Sequence, residues 1–299
     1  MNLYVIQSSF SSIIPAVVLA LLFLTVACSP AQEGDFYETA RQQGYAELKV
    51  TYLPAEGFAY ENEYGELTGI SIEILQEFAD FMQASQGIDL RYEFISRKDF
   101  SDFYDEVKAS SGGVFGLGNV TITEERKQEL RFSPPYLTNI AVLVTHDSVP
   151  ELQELADIGT EFRGMKPLAF RGTLHEERLR DLQETYMEDT DMEFASSNAE
   201  ILETLSEQPD RFAYLDIYNY WRAVERGKPL RQHTVADLAT ERFGIIMPPD
   251  TDWREPLSDF FEQGMGFRTS STYRTILERH LGPELTEKLE EARASVVGD

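Results

Sequence analysis

Apolar positions recur along this chain in two alternating periods. The segment LKVTYL (48–53) reads as a strand, and the turn-rich ENEYGELTG follows it. Apolar residues at Ile74, Leu75, Phe78, Phe81 and Met82 then fall at helical spacing, closed by Gly87. IDLRYEFI alternates like a strand, DFSDFYDEVKASSGG predicts a short helix stopped by glycines, and VFGLG predicts a short apolar strand. Strand, helix, strand, helix, strand is the pattern of a parallel sheet with helical crossovers. The pattern returns after about residue 142. KPLAF, MEFAS and RFAYLD predict strands, separated by helices over TLHEERLRDLQETYM and NAEILETLSE, and IYNYWRAVERG completes a second α/β unit. RFGIIMP predicts one more strand, and three helical segments come after it.

The pattern therefore predicts two α/β lobes: a first lobe over 45–140, a second over 141–240, and a return to the first with terminal helices over 241–299. Residues 29–44, SPAQEGDFYETARQQG, are polar and predict a tether. Residues 13–27 form an apolar run of signal-peptide length ending at the only cysteine, Cys28. LTVAC resembles a bacterial lipobox, which implies lipidation of Cys28 and a body outside the cytoplasmic membrane. An uncleaved anchor and a buried free thiol in a cytosolic protein are the alternatives.

Composition narrows the partners. The chain has 299 residues with 52 Asp and Glu against 26 Lys and Arg, a formal charge of −26. Phosphate backbones and anionic lipid surfaces both require a basic face, so nucleic acid and peripheral lipid binding are excluded as expectations. With a single cysteine there is no intrachain disulfide, and the fold must rest on packing. The four histidines show no metal-ligand spacing, and GVFGLGN lacks the third glycine of a dinucleotide loop.

Arg126 stands out by position. If VFGLG is a buried parallel strand, the residues after it lie at its carboxyl end, where open α/β sheets bind ligands. Thr123 can cap a helix starting at Glu124, and free N–H groups beside a guanidinium would cradle a carboxylate. The plainer alternative is a surface arginine paired with Glu124, Glu125 or Glu129.

The segment GLGNVTITEERKQELRFSPPYL resembles the signature of the amino-acid-binding class of bacterial extracellular solute-binding proteins, in the positions of Asn119, Thr121, Ile122, Thr123, Arg126, Phe132, Ser133, Pro135 and Tyr136. LAFRGTLHEERL, RFAYLDIYNYW and the region after ERFGIIMPPD support the likeness over about residues 46–283. The resemblance implies a two-lobe type II periplasmic-binding-protein-like fold, with two crossing hinge segments near 139–143 and 238–244 and a cleft between the lobes. It further implies that Arg126 holds a ligand α-carboxylate and that Thr121 and the backbone near Asn119 complete that grip. Thr173 would reach across the cleft, and Asp216 would take the α-ammonium. The aromatic lid is left between Tyr52 and Phe58. Leu174 replaces a customary second Ser or Thr, the loop YLPAEGF is one residue short, and SSGGVFG lacks a frequent Asp.

The function implied by the resemblance is that of a monomeric carrier that is not an enzyme and has no cofactor or metal. It would capture an amino acid or similar small carboxylate by hinge closure and deliver it to an ABC transporter permease from the periplasm or cell surface. A sensory lipoprotein, or a dehydratase using Glu56 or Asp216, are the alternatives.

Overall fold

A computed structural model describes residues 31–297, apart from 188–189, 263 and 265. Cys28 and the signal segment expected over 1–28 lie outside the described residues. The strands predicted by alternation form one continuous sheet that runs through both halves of the molecule. In the first half, Tyr45–Tyr52 lies between Asp89–Ser96 and Val114–Thr121, all parallel, as the helical crossovers require. In the second half, Lys166–Phe170 pairs in parallel with Glu193–Ala195 on one side and Arg211–Asp216 on the other. Helix Ile70–Gln86 buries Ile74, Leu75, Phe78 and Met82 against the first half, and Gly87 ends it in the left-handed region at φ 69°. That conformation suits glycine, which has no Cβ to clash.

Two long strands join the halves. Leu137–His146 pairs with Arg211–Asp216 through Ala141–Thr145 and with Leu238–Met247 through Leu137–Ala141, both antiparallel. Leu238–Met247 goes on to pair with Val114–Thr121 in the first half, and its register slips between Leu238 and Glu241. Leu137–His146 is buried over nine of its ten residues, so its run of apolar positions carries no alternation.

The predicted tether is corrected. Glu33–Gly34 pairs in parallel with Ser111–Gly112, and Tyr37–Gln43 is a helix. Trp253 Nε1–H donates to the Asp35 carbonyl at 2.8 Å, and the Tyr37 ring packs on Trp253 at 5.4 Å. Polar composition hid this because the segment docks through backbone hydrogen bonds, one buried alanine (Ala40) and one ring, with no apolar stripe.

The glycines of VFGLG serve packing. A Cβ on Gly116 would stand 2.5 Å from Ile246, and one on Gly118 would stand 2.7 Å from the Phe103 ring. They allow close approach inside the strand and form no phosphate loop.

In the second half, His233 is fully buried. Its Nδ1 accepts from Leu152 N–H at 3.2 Å, so its proton sits on Nε2, 2.8 Å from Thr145 Oγ1. Burial, assisted by the charge of Arg231, lowers its pKa to about 4. The unfolded imidazole titrates near 6.5, so between these values only the unfolded chain binds the proton. Stability from this group is therefore present above pH ~6.5 and is lost as pH falls toward 4, by about 3 kcal/mol at most. His233→Gln should lower stability at pH 7 yet flatten the decline between pH 6.5 and 4 in urea denaturation. An unchanged slope would show that the native imidazole protonates freely.

Candidate functional site

A cavity of about 390 Å³ lies where the carboxyl ends of the parallel strands of both halves converge. The first half contributes Leu53–Glu56 after Tyr45–Tyr52, Lys98 and Phe100 after Asp89–Ser96, and Gly118–Thr121 with Arg126. The second half contributes Phe170, Thr173–His175 and Asp216 with the helix after it. Strand ends supply ligand groups because each sheet stops there while its helices continue.

Arg126 opens a helical turn, Arg126–Glu129, two residues later than predicted. Thr123 Oγ1 accepts from its backbone N–H at 3.2 Å, so the expected cap exists with a shifted start. The guanidinium donates from Nη1 to the Thr121 carbonyl at 3.1 Å and lies over the Phe100 and Tyr104 rings at 5.6 and 5.9 Å. Arg126 forms no ion pair among the described residues. Burial lowers its pKa, opposed by the field of Tyr104, Glu177, Glu241 and Glu125. Glu124 and Glu129, the expected surface partners, pair instead with Lys127 and Lys108. The Thr121 hydroxyl makes no hydrogen bond among the described residues and lines the cavity.

Thr173 precedes helix Leu174–Tyr186, and its hydroxyl donates to the Phe170 carbonyl at 2.7 Å. Asp216 precedes helix Ile217–Glu225 and is buried. Its Oδ1 accepts from Asn139 Nδ2 at 2.6 Å and from His175 at 3.3 Å. Asn119 is the one described non-glycine residue with positive φ, at 52°. Its side chain accepts from Tyr136 Oη at 2.7 Å and donates to Tyr218 Oη at 2.9 Å, so it links the two halves.

Neither aromatic lid candidate reaches the cavity. Tyr52 is held in the core at the end of its strand, 8% exposed. Phe58 is 1% exposed and packs on the Tyr218 ring, centroids 4.4 Å apart. Phe100, Phe170, Tyr218 and Phe243 wall the cavity in their place. Sequence reasoning also missed Lys98, His175 and Glu241. The strand-end rule could have found Lys98, whereas His175 and Glu241 carry no local signal.

The halves meet on both rims. On one, Phe58, Asn119 and Glu56 of the first half engage Tyr218, Arg222 and Arg226 of the second; Glu56 pairs with Arg226 and lies 3.5 Å from Arg222. On the other, a Cβ on Gly172 would come within 2.9 Å of Ser101 Oγ. Five cationic side chains line the cavity against four carboxylates, so it is balanced in a chain of charge −26. Among the described residues, no group of three or more His, Cys, Asp or Glu is placed to hold a metal ion, and no helix is long and apolar enough to cross a membrane.

Comparison with known proteins agrees with this geometry. The family of bacterial extracellular solute-binding proteins, family 3, matches residues 48–283. Among solved structures, an ancestral arginine-binding protein bound to arginine superposes with a TM-score of 0.64 at 19% identity, covering 79% of this chain and 98% of that one. The ancestral amino acid-binding protein AncCDT-1, a precursor of cyclohexadienyl dehydratase, superposes at 0.64 with 16% identity, covering 82% and 98%. Among curated proteins, membrane-bound lytic murein transglycosylase F of Maricaulis maris is 30% identical over 178 residues, 57% of this chain and 36% of that protein. The chain spans about a third of the length of the curated relatives it matches. These names correct the expectation of a protein that is not an enzyme. The relatives are named as transglycosylases and one structural neighbour precedes a dehydratase, so this scaffold does not exclude catalysis. With the type II two-lobe fold and a family match over residues 48–283, the chain belongs to the bacterial extracellular solute-binding proteins, family 3.

Proposed function

We propose that the chain captures an amino acid or similar small carboxylate in the interlobe cavity by hinge closure and delivers it, outside the cytoplasmic membrane, to an ABC transporter. The observation that carries the reading is Arg126: a half-buried guanidinium without a counter-ion among the described residues, on the first-half wall of a cavity whose second-half wall holds Asp216. A ligand carboxylate would pair with Arg126 and the Thr121 hydroxyl, and its ammonium would meet Asp216. The Thr173 hydroxyl would stay committed to the Phe170 carbonyl, leaving that residue to shape the turn. First-half contacts form in an open cleft and second-half contacts only in a closed one, so ligand favours closure by differential affinity. Lipidation at Cys28 would tether the protein to a membrane, with the cleft facing the extracytoplasmic space.

A second reading is favoured by the curated relatives, which are named as membrane-bound murein-processing proteins. In that reading the same cleft senses its ligand and reports it to a partner. Both readings require the same binding event.

Arg126→Ala should keep the wild-type melting temperature and lose about 2–5 kcal/mol of affinity, roughly 30-fold or more, for the best binder in a screen of amino acids and small carboxylates. Unchanged affinity by isothermal titration calorimetry would remove Arg126 from the site. The rim contacts should also hold the halves together without ligand. Tyr218→Ala forfeits a ring pair and a hydrogen bond, each worth about 1 kcal/mol. Small-angle scattering should show a larger radius of gyration for the ligand-free variant than for wild type, and identical curves would mean that the rim does not govern opening.

A further inference from the structure

The second half reaches across one rim with a single stripe of helix Ile217–Glu225. Tyr218 and Arg222 stand one turn apart on it, and Arg226 follows a turn later, just past its end. Tyr218 packs on the Phe58 ring, and Arg222 enters the first half itself. Its Nη2 donates to the carbonyl of His280, in the last turn of helix Ser271–Leu281, and its Nη1 lies 3.5 Å from Glu56 Oε1. The last carbonyls of a helix have no partner within it and carry the negative end of its dipole, so a guanidinium suits that place.

The first half is shaped to receive this side chain. Gly57 has φ +91°, and a Cβ there would stand 3.1 Å from Arg222 Nη2, so glycine clears the space. The Gly57 and Phe58 carbonyls accept from Ile70 and Ser71 N–H, each at 2.9 Å, which ties the loop to the start of helix Ile70–Gln86. His280 is fixed to the same helix through its Nε2, 2.6 Å from Glu73 Oε1. The walls of the slot therefore belong to one packed unit, and the side chain that fills it belongs to the other. Every one of these interlobe contacts forms between protein groups, and opening the cleft breaks them.

We propose that Arg222 is a latch: seated in the Gly57 slot it holds the cleft shut without ligand, and a ligand enters only after it withdraws. This rests on the hinge-closure reading above and deepens it by assigning the step that limits capture. A seated latch lowers the fraction of molecules open to a ligand, so association slows. It also stays seated around a bound ligand, so release slows too.

The test uses the full chain. Small-angle scattering of the ligand-free wild type should match the closed shape. Arg222→Ala should enlarge the radius of gyration with an unchanged far-ultraviolet circular dichroism spectrum. Arg222→Lys keeps the charge but loses the planar fork, and should fall between the two. Stopped-flow fluorescence then follows mixing with whichever of the twenty protein L-amino acids gives the largest thermal shift. The wild-type rate should level off with concentration at the opening rate, whereas the Arg222→Ala rate should keep rising to about tenfold higher or more. A ligand-free wild type that is already open, an Arg222→Ala chain as compact as wild type, or a plateau that the substitution leaves in place overturns the proposal while leaving amino-acid capture intact. If no amino acid shifts the melting temperature, the capture reading falls and scattering alone decides the latch.

Discussion

A half-buried guanidinium with no carboxylate in contact among the described residues is the constraint on which this molecule turns. Such a charge is costly to bury unless another charge arrives. The protein lessens the cost with a carbonyl, two aromatic faces and the distant field of Glu177 and Glu241. None of these is a counter-ion within contact. The neighbouring acids that could have neutralised it, Glu124 and Glu129, are diverted to Lys127 and Lys108. The arrangement keeps the charge available at the mouth of a strand end, the place where a ligand can reach it.

The opposite wall shows the complementary strategy. Asp216 is as buried as a core residue, yet its hydrogen bonds crowd onto one oxygen. Cation and anion face one cavity from separate halves and do not touch each other. That division is what the proposed capture of an amino acid would use.

Much of this was legible in the sequence because it is local. Apolar patterning and helical spacing found the parallel strands, the rule that ligands sit at their carboxyl ends pointed to Arg126, and the family resemblance added Thr121 and Asp216; all three line the cavity. The features that escaped are non-local. Leu137–His146 is buried on both faces over nine of its ten residues, so it has no period to read, and its partners in Leu238–Met247 lie about a hundred residues away. The docked segment at 33–43 is held by a few backbone bonds and one ring. Tyr52 and Phe58 were chosen for their aromatic rings, but a ring beside a cleft serves the core equally well, and only packing distinguishes the two. His175 and Glu241 reach the cavity from segments far apart in the chain, which no window of sequence contains. The expectation of a protein that is not an enzyme failed for a different reason: it came with the resemblance to carriers, and relatives of this scaffold carry enzyme names.

The register slip between Leu238 and Glu241 leaves a short stretch of the connecting strand outside the ladder. Peptide planes there can swivel while the rungs on either side stay intact. Under the proposed hinge closure, the slip would act as a torsional joint in the strand that links the halves. Closure would then be a twist about the strand axis, like the spine of a book, whereas shear along the sheet would break rungs that the twist preserves.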